Sequence, residues 1–234
     1  MIRCRTLLAG TLLSLALVTT SNGNDTRLRP VNRGMLCITE GSLNDAPGQH
    51  FTVDVPKMRG YVNRYTTQEI EARFTYFGPT ENEAALGSAE MRLQFGLKLR
   101  SLDPCNLVYA MWRIEPKSEL VVSVKTNPGE HKSSECANRG YRNIKPALKK
   151  PIPELHVGDS HALRAEMNGD RLRVFVDDSI VWNGNLGPEV LNLNGPVGIR
   201  SDNAHLDFQL LAGEPAGAHP DFVIACKSGP DQSE

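Results

Sequence analysis

The chain has 234 residues, 40% of them hydrophobic, with 26 Lys and Arg against 27 Asp and Glu, a formal charge of −1. That composition excludes a disordered chain, and its charge balance supplies no concentrated basic stripe of the kind that displaces counterions from nucleic acid. Twenty Gly and 15 Pro give many turns without the periodicity of collagen or of a low-complexity chain, which favours many short elements.

Arg3 and Arg5 precede an apolar run from Leu7 to Val18, and small or polar residues follow as far as Gly23. This is the pattern of a secretory signal peptide. As a helix the run would rise about 18 Å, short of the roughly 30 Å hydrocarbon core, so no permanent membrane span is expected. The expected organisation is a signal peptide over 1–23, a β-sandwich domain over 24–212 and a tail over 213–234, in a secreted or periplasmic protein. Setting Cys4 aside with the signal leaves Cys37, Cys105, Cys136 and Cys226, an even set suited to an oxidising compartment. Cys105 and Cys136 flank a predicted hairpin whose open end would bring them together, while Cys37 and Cys226 lie toward the two chain ends. The expected pairs are therefore 105 with 136 and 37 with 226. No two cysteines have the close spacing of zinc sites.

Strand side chains alternate between faces, so apolar and polar residues in strict alternation mark half-buried strands. Ile70, Ala72, Phe74 and Tyr76 alternate with Glu71, Arg73 and Thr75, and Met91, Leu93, Phe95, Leu97 and Leu99 alternate with Arg92, Gln94, Gly96, Lys98 and Arg100. A hairpin is expected from Asn106 to Lys125, turning at Pro116-Lys117-Ser118. Its first strand is apolar on both faces, so it should lie centrally or present Leu107, Tyr109 and Met111 to a groove. From Thr126 to Pro153 the chain is polar and reads as a long crossing loop held by a disulfide. A second hairpin from about 160 to 178 turns at Asn168-Gly169-Asp170, residues that tolerate the positive φ of tight turns. Leu206, Phe208 and Leu210 close the series. No apolar stripe of helical period exceeds two turns, so the expected fold is all-β, two packed antiparallel sheets with little helix.

The run Leu163 to Asp178, LRAEMNGDRLRVFVDD, followed by Val181-Trp182, resembles the late hairpin of concanavalin A-like jelly-roll domains. Gly195 to Phe208, GPVGIRSDNAHLDF, resembles their approach to the final strand, and Glu69 to Tyr76 resembles their early "E-x-R-F" strand. The resemblance spans roughly residues 50 to 212 and rests on structural motifs. It implies a kinship with laminin G-like modules, legume lectins, bacterial glycan-binding modules and β-glucanases, in which a concave sheet face holds a saccharide or peptide. Such a fold hosts both binding and chemistry.

Glycoside hydrolysis needs two carboxyl groups across the scissile bond. Glu69 and Glu71 share a strand face, about 6.5 to 7 Å apart at Cα, but the glucanases of this fold carry Glu-x-Asp-x-Glu and the next residue on that face here is Arg73. If Phe74 and Phe95 point inward, then Glu71, Arg73, Arg92, Gln94, Tyr109 and Arg113 can form a polar, ligand-binding groove on an outer face, with Tyr109 available to stack on a pyranose. Asp177, Asp178, Asp202 and Asn203 carry oxygens of the type calcium prefers, and the resemblance to laminin G-like modules implies calcium at loop ends; turn capping accounts for the same residues. No cofactor other than calcium is suggested. Zinc-protease, serine-hydrolase and nucleotide-binding motifs are absent from the sequence. Three readings follow: non-catalytic binding of an extracellular glycan, a glycoside hydrolase using Glu69 or Glu71, or an envelope domain that binds protein through the 126–153 segment.

Overall fold

The alternation along the chain is realised as strands with one greasy flank each, and burying those flanks against one another defines the fold. A computed structural model describes residues 28–63 and 66–215. Its strands are β1 (Arg29–Pro30), β2 (Leu36–Glu40), β3 (Asn44–Ala46), β4 (His50–Val53), β5 (Lys57–Val62), β6 (Glu69–Pro79), β7 (Leu93–Asp103) and β8 (Asn106–Glu115). They continue with β9 (Glu119–Lys125), β10 (Tyr141–Asn143), β11 (Leu148–Lys149), β12 (Ser160–Asn168), β13 (Arg171–Val176), β14 (Ser179–Asn185), β15 (Gly198–Asp202) and β16 (Ala204–Ala212). A single helical turn, α1 (Ser133–Cys136), lies between β9 and β10.

Two sheets form. One has seven strands in the order β10-β9-β8-β7-β15-β5-β2; the other has nine, in the order β11-β14-β13-β12-β6-β16-β4-β3 with β1 beside β16. Phe95, Leu97 and Leu99 from β7 and Val108, Ala110 and Trp112 from β8 meet Ile70, Ala72 and Phe74 from β6 and Leu163 and Ala165 from β12 in one core. The Phe74 ring lies 4.3 Å from that of Phe95 and meets Trp112 edge-on at 5.5 Å. Each such large apolar side chain contributes on the order of 1.5 to 3 kcal/mol when fully buried. Trp182 is buried in the same core.

The expected hairpins form, with Asn168 opposite Arg171 and Arg113 opposite Glu119. Two expectations are corrected. β7 starts at Leu93, and Met91 is 51% exposed ahead of it, because pairing with β8 begins only at the Leu93–Glu115 partners. The 126–153 segment is not plain loop: β10 pairs with β9 at the edge of the seven-stranded sheet, and β11 pairs with β14 at the edge of the nine-stranded sheet. The segment therefore ties the two layers together.

Cys105 and Cys136 are joined in a disulfide with Cα atoms 5.8 Å apart. Cys37 is buried on β2 and disulfide-bonded, while its expected partner Cys226 lies outside the described residues. So do the expected signal peptide and nearly all of the tail. Among the described residues no helix is long and apolar enough to cross a membrane.

Candidate functional site

The double-sided apolar character of β8 locates the site. Its Val108, Ala110 and Trp112 enter the main core, and its Leu107, Tyr109 and Met111 form a second buried cluster on the outer face of the seven-stranded sheet. An outward face is buried only if something covers it. Here two walls rise from the sheet: the segment around Leu86, Gly87 and Ser88, and the disulfide-held stretch carrying Ser133, Ala137 and Asn138. They close on each other at one end, where a Cβ on Gly87 would sit 3.2 Å from the Asn138 amide. Between them runs a groove of about 440 Å³. Gly96 on its floor lies between its cross-strand partners Arg200 and Met111, and a Cβ there would come within 2.3 Å of the Ala110 carbonyl. Only glycine permits strands to approach so closely at that point.

Strand alternation delivers the charges to this floor. On β15, Gly198, Arg200 and Asp202 face outward while Ile199 packs in the core. The Asp202 carboxylate is completely buried and accepts from Arg59 Nη2 at 2.6 Å, Arg200 Nε at 2.8 Å and Gln94 Nε2 at 2.7 Å. Burial alone would raise its pKa, but the Arg200 and Arg59 charges and the Gln94 hydrogen bond bring it down to about 2. Lys98, also buried, places its ammonium 3.6 Å from the centre of the Tyr61 ring. Burial, reinforced by Arg59 and Arg200, pushes its pKa well below the usual lysine value.

One wall is aromatic. The ring of Tyr141, 42% exposed, stacks on Tyr109 with centres 6.0 Å apart. Burial pushes both phenols up; for Tyr141 the Arg200 and Lys125 charges outweigh that effect and hold it below the usual tyrosine range. The Arg200 guanidinium lies 5.2 Å from the centre of the Tyr109 ring, and Lys125 Nζ lies 5.0 Å from that of Tyr141. Lys125 also donates to the carbonyls of Pro104 and Ala137, at 3.2 and 2.8 Å, which pins the disulfide-held wall to β9.

Of the groove residues expected from sequence, Arg92, Gln94, Tyr109 and Arg113 line this groove. Glu71 and Arg73 do not join them, because β6 belongs to the other sheet, where they form a 2.6 Å ion pair on its outer face. Glu69 lies on that same face, 2.9 Å from Arg164, and neither glutamate approaches the groove. Asp177 accepts from the Ala162 backbone N–H and pairs with His161, and Asp178 is exposed in the same turn. Asn203 uses its amide to hold the backbone of Ala84 and Arg92, and Asp202 is engaged by two guanidinium groups. These oxygens do not converge: among the described residues no cluster of three or more His, Cys, Asp or Glu is arranged to hold a metal ion.

Sequence reasoning missed Arg59, Lys125, Tyr141 and Arg200, all on the groove. For Arg200 a signal existed, since it alternates with core Ile199. For Tyr141 there was none, because a strand of three exposed residues has no apolar pattern.

No protein-family profile matches the chain, and no curated protein does. Among solved structures, the carbohydrate-binding module CBM66 from Bacillus subtilis aligns with a TM-score of 0.51 and 19% identity, over 77% of this chain and 95% of its own. A putative glycosyl hydrolase from Parabacteroides distasonis aligns with a TM-score of 0.50 and 11% identity, over 80% of this chain and 99% of its own. The architecture is that of the concanavalin A-like lectin and glucanase fold.

Proposed function

We propose that this protein is an exported, non-catalytic glycan-binding β-sandwich whose saccharide lies in the groove on the outer face of the seven-stranded sheet. The observation that carries the reading is the half-exposed Tyr141 ring, stacked on Tyr109 at the wall of a groove rich in guanidinium donors. A pyranose presents an apolar face to an aromatic ring and hydroxyls to the polar groups around it, and this groove offers both partners. Similarity to a structure named as a carbohydrate-binding module supports the same use. The Cys105–Cys136 disulfide and the signal-like first residues support export to an oxidising compartment.

Binding is favoured over hydrolysis by the acids available. The two glutamates lining the groove are matched to arginines, Glu40 to Arg59 at 3.6 Å and Glu90 to Arg92 at 2.6 Å. A general acid must instead hold a proton near neutral pH. Glu69 and Glu71, the carboxylates nearest to a glucanase pattern, are paired on the opposite side of the sandwich.

A glycan array followed by titration calorimetry tests the reading. At least one oligosaccharide should bind, Tyr141→Ala should weaken it about tenfold, and Arg164→Met on the far face should leave it unchanged. Absence of binding at millimolar sugar, or full affinity in Tyr141→Ala, would overturn it.

A further inference from the structure

We infer that the groove selects an acidic saccharide, one whose sugar ring carries a carboxylate. The inference rests on the groove being the saccharide site, and it is carried by an imbalance of charge.

Six cationic side chains line the groove: Lys57, Arg59, Arg92, Arg113, Lys125 and Arg200. Only two acidic ones, Glu40 and Glu90, share it. Counting the buried Asp202 and the neighbouring Glu119, which pair with Arg59, Arg200 and Arg113, still leaves the cations in excess. This surplus does not come from composition, because the chain as a whole carries a formal charge of −1. Charges of one sign gathered between low-dielectric walls repel one another and favour a counter-charge arriving from outside. Arg113 adds a specific demand: its Nε is buried without a hydrogen-bond partner in the structure, although its Nη1 reaches Glu119 at 3.2 Å.

The chemistry of the missing partner follows from what surrounds the surplus. Guanidinium groups match a planar carboxylate as paired donors, which a neutral hydroxyl cannot reproduce. A small inorganic anion would leave the Tyr141 face unused. A saccharide bearing a carboxylate satisfies both, with its ring on Tyr141 and its charge among the arginines.

The experiment is titration calorimetry of the full chain with trimers of galacturonate, glucuronate and mannuronate, each beside its methyl ester, which keeps the ring and hydroxyls but removes the charge. At least one acid trimer should bind tenfold or more tighter than its ester at low salt. That advantage should shrink several-fold when salt rises to the point where the screening length is about 4 Å. Arg113→Gln should reduce the advantage threefold or more with its melting temperature checked in parallel, and Lys57→Gln at the rim supplies a second variant outside the buried cluster. Esters binding as tightly as acids, or no acid trimer outbinding its ester, would overturn the inference. Should a neutral oligosaccharide still bind in a manner sensitive to Tyr141→Ala, the glycan-binding reading survives that result; should no saccharide bind, both fail.

Discussion

The two outer faces of the sandwich are built by the same alternation and end up as different surfaces. On the nine-stranded sheet, Arg164 pairs with Glu69, Glu71 and Glu166, Arg173 takes the other oxygen of Glu166, and Arg73 takes Glu71. Three arginines and three glutamates cancel across adjacent strands, and the Arg164 guanidinium also lies 3.9 Å from the centre of the Phe175 ring. A cavity of about 690 Å³ on this side is larger than the groove opposite, yet its charged lining draws on the same ladder: Glu69, Glu166 and Arg173 already have partners. On the seven-stranded sheet the cations exceed the acids, an aromatic wall stands beside them, and loops enclose them. Polar residues on a strand's outer face therefore say little by themselves. Whether they cancel with the neighbouring strand decides whether the face is scaffold or site.

The sharpest way to test this contrast is to remove the one acid that organises the cationic face. Asp202→Ala leaves the guanidinium groups of Arg59 and Arg200 side by side without their shared partner, and breaking a buried pair of this kind costs about 3 to 5 kcal/mol. Urea unfolding should show it. The same group predicts an acid limb. With its pKa lowered from 3.8 to about 2, Asp202 contributes stability that is complete above the upper value and disappears as pH falls through the lower one. The amount is about 2 kcal/mol. A wild-type stability that stays flat from pH 4 to pH 2, or falls there equally in Asp202→Ala, would show that the cluster is not organised around this carboxylate.

The legible part of this molecule was its burial pattern. Alternation around Phe74, Phe95, Leu163 and Phe208 marked the inward faces, and the residues between them were correctly outward. It did not say which sheet each strand joins, because β6 and β7 are consecutive in sequence yet sit in opposite layers. Glu71 and Arg73 were grouped with Gln94 and Tyr109 for that reason. Tyr141 was hidden by a different cause: its position depends on the crossing of the 126–153 segment, a long-range pairing with β9 to which local pattern is blind. The apolar outer side of β8 was the one local clue to the groove, since Leu107 and Met111 have no reason to face outward unless covered.

The groove's two walls offer the next comparison. One is held covalently by Cys105–Cys136, across 31 residues of sequence, and the other by the Asn203 amide, which bonds Ala84 N, Ala84 O and Arg92 O at 2.9 to 3.0 Å. Closing a loop of that length removes about 3.7 kcal/mol of unfolded-state entropy. The double variant Cys105→Ser/Cys136→Ser should lose stability of that order and weaken saccharide binding, since Ser133, Ala137 and Asn138 ride on the released wall. Calorimetric melting beside a binding titration reads both. Unchanged affinity in a destabilised variant would mean that this wall bounds the groove without shaping it.

The smallest expected effect separates the faces by sign. Lys98→Met replaces a buried ammonium with an apolar chain of similar length, removing its desolvation and its repulsion by Arg59 and Arg200 at the expense of the contact with Tyr61. Burial and the Arg59 and Arg200 charges depress the Lys98 pKa, and the variant relieves both, so it should gain about 1 kcal/mol. The pH dependence carries the same sign. A lysine whose folded pKa lies below its unfolded 10.5 is bound by more protons in the unfolded chain between those values, so wild-type stability should rise with pH across that window. The rise should be absent in Lys98→Met. A variant less stable than wild type, with the alkaline rise intact, would mean that Lys98 is satisfied where it stands.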